Sequence, residues 1–444
     1  MKRRLIFGFV GVVLAVNLFI GARVYSSSTD NNSISEKDSV YPNMKLFSEV
    51  MEKVRRDYVD GTNLTYQDLV YGALKGMVNE LDPHSEFLDP DKYKDLQSDT
   101  EGHFGGLGIV IAMKDNFITV VSPMEDTPGF KAGILSGDRI LKINGKSTDN
   151  MTLQDAVKLL RGDPNTDVTI GIMRPSSGQA KDYTLTRSVI NVDMVKDING
   201  KKEFPLGENK IGYVRIVQFG EKTSDDLETA INKLKDQGMQ ALIIDLRWNP
   251  GGLLDQAVEV CEKFLPRGQL IVSTEGRNAA QNSKHRAAGR GDELHGMPIV
   301  VLVNLGSASA SEIVSGCLQD LHRAIILGEK TFGKGSVQSI IPLDDGSALR
   351  LTTAKYYTPS HKVIHQVGIT PNIIVPTTDE EDRDIRLQLT PGGLESLDPQ
   401  ERQKIKAAHD PQLERATDLL KGIMLYTDRS NGQFSDKMAA NLKP

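Results

Sequence analysis

The chain has 444 residues, too many for a single hydrophobic core, and so predicts two or three domains with appendages. Its 39% hydrophobic and 25% charged content is that of an ordinary globular protein, and a net charge of −6 provides no basic field, which excludes nucleic acid as the expected partner. Two cysteines, Cys261 and Cys317, fall in apolar helical patterns and read as buried thiols; with no CxxC or HExxH pattern and eight scattered histidines, neither a metal nor another cofactor is expected.

At the N-terminus, Lys2-Arg3-Arg4 precedes an apolar run from Leu5 to Ala22 interrupted only by Asn17. As a helix this run spans about 27 Å, enough for a bilayer core. The basic flank would stay cytoplasmic and place everything beyond Arg23 on the outer side. Ile20-Gly21-Ala22 is a poor cleavage site, so a single-pass anchor and a cleaved export signal both stay open for 1–25. Residues 26–40 are polar and read as a tether.

From 41 to 100 the periodicity is helical: Phe47, Val50, Met51 and Val54 share one face, Leu69, Ala73, Met77 and Leu81 another. The segment closes on Leu81-Asp82-Pro83-His84-Ser85, a turn in which Pro83 stops the helix. Its simplest role is a helical cap or a contact for a homodimer. Residues 101–189 read differently. Phe104-Gly105-Gly106-Leu107-Gly108-Ile109 leads into strand candidates at 109–113 and 117–121, then Gly137-Asp138-Arg139-Ile140-Leu141-Lys142-Ile143-Asn144-Gly145, a helix at 153–160, and strands at 167–173 and 183–186. This pattern resembles a PDZ domain. The resemblance implies that the Phe104–Ile109 turn offers backbone N–H groups to a peptide's terminal carboxylate and that the next strand takes up the peptide by β-augmentation.

Between 190 and 376 strands and helices alternate: strands at 211–217, 241–246, 299–303 and 324–327, helices at 224–237, 253–264 and from 309 onward. Alternation of this kind predicts an α/β core with at least partly parallel strands and a site at their carboxyl ends. The polar, aperiodic stretch 277–296 reads as a long loop on the rim of a substrate channel. In the C-terminal region, 377–444, residues 378–383 read as a charged linker and 412–425 as a helix. The overall expectation is a multidomain α/β protein with a PDZ module, preceded by an anchor or signal and a small helical segment.

The chemistry concentrates in Asn304-Leu305-Gly306-Ser307-Ala308-Ser309-Ala310-Ser311-Glu312 and in Gly333-Lys334-Gly335-Ser336-Val337-Gln338. The first places serines at a helix N-terminus, where free N–H groups and the helix dipole stabilise developing negative charge. Spacing alone does not choose among Ser307, Ser309 and Ser311, each of which also suits N-capping; Ser309, between two alanines, leaves most room for a substrate carbonyl. Lys334 has no acidic neighbour in sequence from Glu329 to Asp344, which fits a desolvated lysine whose lowered pKa suits a general base. If 335–341 is a strand, Gln338 shares its face and is within reach of the lysine. For an oxyanion hole, the Ala310 N–H is one natural donor, and Gly251 or Gly252 of Asp245-Leu246-Arg247-Trp248-Asn249-Pro250-Gly251-Gly252 the other.

Together, FSEVMEKV…YVDG…LDPHSEFL, the PDZ-like module, IGYVRIVQF…LIIDLRWNPGGLL and GSASASEIVSG…GEKTFGKGSVQS resemble the carboxy-terminal processing (tail-specific) peptidases over nearly all of 41–375. The resemblance implies Ser309 as nucleophile, Lys334 as general base and Gln338 as its assistant, acting on proteins with accessible C-termini that the PDZ module captures. Arg161, at the end of the PDZ helix, is placed to signal between module and core, although a solvated helix-end arginine reads equally well. Trp248, His361 and Asn372 depart from the family's usual residues, and Trp248 beside the oxyanion turn puts the substrate pocket in question. Two other readings stand beside this one: a membrane-tethered PDZ receptor with a decayed core, and a Ser–His–Asp hydrolase using His322 or His365.

Overall fold

The computed structural model describes residues 39–430, apart from 125, 176, 290–293, 295, 391–392 and 395–396; the anchor or signal expected at 1–25 and almost all of the tether lie outside the described residues. Among the described residues no helix is long and apolar enough to cross a membrane. The chain separates into two compact units, divided between Glu80 and Leu81.

Among its described residues the first unit holds two α-helices, Val40–Asp57 and Tyr66–Asn79. The second begins with a capping box in which Thr65 and Asp68 satisfy each other's backbone N–H groups. It ends at Asn79, ahead of the Asp82-Pro83 turn. The first helix buries none of its residues, and Met44, Phe47, Val50 and Val54 are exposed along it.

In the second unit, the central sheet runs in the order Val195–Lys196, Ile211–Ile216, Ala241–Asp245, Ile299–Val303, Ile325–Gly328, Ile373–Ile374, parallel throughout except for the antiparallel first edge. Its inner strands are fully buried, as a sheet covered on both faces requires. Alternation along them divides the core. Leu242, Ile244, Val301 and Val303 pack with helices Thr223–Asp236, Leu254–Glu262 and Ala310–Asp320, while Ile243, Val300 and Leu302 pack with Ala416 and Leu420 of helix Pro411–Ser430.

A second sheet pairs Glu86–Leu88, Ala348–Tyr357, Leu270–Gly276 and Ser283–Arg286, with Ser336–Pro342 also on Ala348–Tyr357. The strand Ser283–Arg286 corrects the reading of 277–296 as an unstructured loop; its Ser-Lys-His-Arg sequence carries no apolar alternation because it is an edge strand with half-buried and exposed residues in turn. The linker expected at 378–383 is likewise the start of a helix, Asp379–Leu389, whose N-cap Thr378 forms a capping box with Glu381. The acidic first turn that looked like a solvated linker is favourable charge at a helix N-terminus.

The PDZ-like module is a sheet in the order Ile109–Lys114, Phe117–Pro123, Arg139–Ile143, Asp167–Arg174, Gln179–Thr186, with helix Leu153–Leu160 packed against it. Phe104, Gly105 and Gly106 are in a strand, His103–Gly106, paired with Ser188–Asn191; the turn itself is Leu107-Gly108, shorter than the sequence suggested. Ile109–Lys114 stands at the sheet edge, where a peptide strand can be added.

Candidate active site

The loop after Ile299–Val303 is held by two of its three serines. Ser307 Oγ accepts from the Asn304 N–H at 3.0 Å and donates to the Leu246 carbonyl at 2.8 Å; Ser311 Oγ donates to the Asn249 carbonyl at 3.0 Å. Both hydroxyls are fully buried and tie this loop to the neighbouring 246–249 loop. Ser309 differs. It is the N-cap of helix Ala310–Asp320, at φ 54° and ψ −112°, a conformation that a residue with a Cβ adopts only under strain. Among the described residues its hydroxyl donates to no backbone carbonyl. A serine on a strained strand-to-helix turn is the arrangement that presents a nucleophile above a helix N-terminus.

Glu312, fully buried in the first turn of the same helix, joins this loop to the lysine loop. One carboxylate oxygen accepts from the backbone N–H of Ser309 at 2.9 Å and from that of Lys334 at 2.8 Å. The other accepts from the Gly333 N–H at 2.7 Å and from the Thr331 hydroxyl at 2.6 Å. Burial pushes this carboxyl above the usual range, with the four hydrogen bonds opposing. The resulting clamp fixes the backbones of both candidate residues to one group. In the sequence Glu312 completes Ser-x-x-Glu, the capping-box signature, which by itself gives it no role beyond its own helix.

The Lys334 side chain is half-buried. Burial and the like charge of Arg350 hold its pKa below the ordinary lysine value, against the pull of Glu312. Among the described residues no hydrogen bond joins the Ser309 hydroxyl to the Lys334 amine; the two are coupled through Glu312 and the backbone. Gln338 follows in strand Ser336–Pro342, and its Nε2 donates to Ser336 Oγ at 2.9 Å and to Thr352 Oγ1 at 3.3 Å. The Asp82–Ser85 turn, read from sequence only as a helix stop, lies here too. Burial and the Lys334 charge hold His84 below the ordinary histidine value, and Asp82 accepts a hydrogen bond from Thr352 Oγ1 at 3.2 Å.

The expected oxyanion turn abuts the serine. A Cβ on Gly251, at φ 101°, would stand 2.7 Å from Ser309 Cβ and 3.0 Å from Ala310 N, so only glycine permits this approach. The Gly251 N–H donates to Asn249 Oδ1 at 2.9 Å and is engaged in this structure. Gly252 and Ala310 lie beside it. Beneath the turn, Arg247 is completely buried and binds Asp245 and Asp410, its Nη2 lying 2.6 Å and 2.8 Å from their respective Oδ2 atoms. The C-terminal region is thereby tied to the sheet end that carries the glycines.

The Trp248 indole N–H donates to Asp382 at 3.1 Å, and the ring lines a cleft with Leu305, Phe332 and Leu387. His361 sits at φ 61°, which explains why glycine is usual there, and Asn372 Oδ1 accepts from Ile326 N and Gln319 Nε2, the work a carboxylate oxygen would do. His322 is exposed and His365 Nδ1 is buried without a partner among the described residues, where no carboxylate is hydrogen-bonded to either imidazole as a Ser–His–Asp triad would require. Arg161 lies 4.4 Å from the centre of the Phe104 ring and pairs with Asp99 at 3.2 Å; Lys158–Asp91 and Lys94–Asp163 add two more ion pairs between the PDZ-like module and helix Pro90–Glu101.

Residues 210–375 match the model of peptidase family S41, and 119–174 that of a PDZ domain. A carboxy-terminal-processing protease of Bartonella bacilliformis is 45% identical over 380 residues, 84% of this chain and 83% of its own. The carboxy-terminal processing protease CtpA of Bacillus subtilis is 36% identical over 379 residues, 84% of this chain and 78% of its own. A solved photosystem II D1 C-terminal processing protease is 30% identical, with a TM-score of 0.43, and covers 79% of this chain and 98% of its own. With this level of identity along most of both curated relatives, the chain belongs to peptidase family S41, the carboxy-terminal-processing proteases, and is a serine-type peptidase that carries a PDZ domain.

Proposed function

We propose that this peptidase acts outside the cytoplasm, on the periplasmic face of a bacterial inner membrane, and cuts proteins near their C-termini by acyl-enzyme chemistry. Segment 1–25 serves as its single-pass anchor or export signal. Ser309 attacks the scissile carbonyl, and neutral Lys334, assisted by Gln338, takes its proton. The oxyanion is met by the Ala310 N–H and by one from Gly251 or Gly252, with Gly251 first releasing Asn249. Collapse returns the proton from Lys334 to the leaving amine, and water then attacks the acyl-enzyme with Lys334 again as base. The observation that most supports this reading is the single Glu312 oxygen that accepts from both Ser309 and Lys334.

The substrate's C-terminus binds through Phe104–Ile109 along the edge strand Ile109–Lys114, and Arg161 passes that occupancy toward the core. A second copy of the chain covers the exposed apolar stripe of Val40–Asp57. The test is cleavage of a loosely folded protein with an apolar C-terminus by the chain from residue 26 onward, with EDTA present, beside Ser309→Ala, Lys334→Ala and Arg161→Ala, and with sedimentation velocity reporting mass. Expected are cleavage by wild type, its loss in both dyad variants, loss of stimulation by C-terminal peptides in Arg161→Ala, and a dimer. Cleavage persisting in Lys334→Ala would place the base elsewhere. Peptide binding with no cleavage by any form would favour a PDZ receptor.

A further inference from the structure

Gln338 is held by a chain of hydrogen bonds that leads out of the catalytic loop to the N-terminal turn of this unit. Asp82 receives the backbone N–H groups of His84 and Ser85 at 2.8 Å and 2.9 Å, the Ser85 hydroxyl at 2.7 Å and the Thr352 hydroxyl at 3.2 Å. Partial burial raises this carboxyl, but those donors outweigh it and hold the group below the usual range, as an ionised, acceptor-only carboxylate. Ser85 Oγ in turn accepts from the Thr352 N–H at 3.0 Å, and Glu86–Leu88 pairs with Ala348–Arg350, so the turn is fastened to the strand that carries Thr352.

This chain leaves one consistent assignment of protons. A carboxylate can only accept, so the Thr352 hydroxyl donates to Asp82. Having spent its proton there, it offers only lone pairs to Gln338. The Gln338 amide must therefore face it with its NH2 end, 3.3 Å away, while the second N–H of that group goes to Ser336 Oγ at 2.9 Å. Both donors of Gln338 are used, and its carbonyl oxygen is left as an acceptor.

Resting on the reading of Lys334 as base and Gln338 as its assistant, we propose that Asp82 and Thr352 are positioning residues of the active site, which set the Gln338 amide so that its carbonyl oxygen orients the lysine nitrogen. One amine N–H directed at that oxygen leaves the nitrogen lone pair free to point toward the serine hydroxyl. The Asp-Pro-His-Ser turn is then part of the peptidase site and not only a helix stop.

The test uses the full chain with a peptide substrate and compares Thr352→Val, Thr352→Ser, Asp82→Asn, Gln338→Ala and the double variant Thr352→Val/Gln338→Ala. Thr352→Val, which keeps shape and loses the hydroxyl, is expected to lower kcat about tenfold with KM within about twofold. Thr352→Ser restores most of that loss, and Asp82→Asn behaves like Thr352→Val. The double variant is expected to be no slower than Gln338→Ala alone, because both changes remove one function. A merely structural role for Thr352 predicts instead that the two losses multiply; that result, or full kcat in Thr352→Val, overturns the proposal. Full activity of Gln338→Ala would refute the assistant role itself, and the proposal with it, and is distinguishable because it appears in the single variant.

Discussion

Glu312→Gln isolates the clamp on the site loops, because it keeps the shape of the side chain and replaces one acceptor oxygen with a donor. Turned so that its NH2 lies in place of Oε2, the amide would confront the N–H groups of both Ser309 and Lys334. Turned the other way it meets the Gly333 N–H and the Thr331 hydroxyl, and the hydroxyl can rotate to accept. The second orientation is therefore favoured, and it leaves a single N–H, that of Gly333, buried without a partner. That orphan costs about 1–3 kcal/mol, and reducing two charge-assisted bonds to neutral ones about 1 kcal/mol each. Relief of a buried charge offsets part of this, so the net loss is about 2–4 kcal/mol of folding stability. Because the unpaired group is the residue before Lys334, kcat should fall at least tenfold, about 1.4 kcal/mol of transition-state stabilisation. The single tryptophan, Trp248, sits in the loop bound to this one and reports urea unfolding by fluorescence; cleavage of a chromogenic peptide reports kcat. Glu312→Gln within about 0.5 kcal/mol of wild type and with unchanged kcat would refute the clamp.

Gly251→Ala should cost about 2–4 kcal/mol, since the residue sits at φ 101° and its Cβ would meet Ser309 Cβ and the Ala308 carbonyl at 2.7 Å and 2.8 Å; kcat should fall at least a hundredfold, and a variant as active as wild type would mean the two turns are not held together. The lowered pKa of Lys334 predicts that kcat/KM rises with pH on a limb below the ordinary lysine value of about 10.4. Burial sets this limb first; Arg350 of like charge lowers it further and Glu312 of opposite charge opposes. Arg350→Met should move the limb to higher pH, an unmoved limb refuting the assignment. The same shift has a stability sign: between the folded and unfolded values of Lys334 the unfolded chain holds more protons, so stability rises with pH across that window, and Lys334→Met should remove that slope.

The serine and lysine loops could be read from sequence because their chemistry is local. A run of small residues at a strand–helix junction, and a lysine between two glycines, announce a tight approach and a helix N-terminus by composition alone. Helix Leu153–Leu160 and strand Ile299–Val303 coincide with the sequence reading for a similar reason, since the apolar period belongs to the segment itself. The residues that hold the site are a different case. Glu312 acts on N–H groups from as far as 22 positions away, and Asp82 reaches a hydroxyl 270 positions away. A backbone N–H is chemically the same whichever side chain it precedes, so the donors that converge on Glu312 leave no residue pattern to find. Only the acceptor is visible, as a buried acid in a capping-box position, and a capping box is ordinarily complete with its own helix. What distinguishes Glu312 is that Ser309 uses only part of its carboxylate, and the remaining acceptor capacity is what draws the lysine loop to Ser309. The same holds for the Asp82 turn. Its Asp-Pro-His-Ser sequence satisfies itself locally through Ser85 and the His84 N–H, and reads as complete, until the strand bearing Thr352 supplies one more donor.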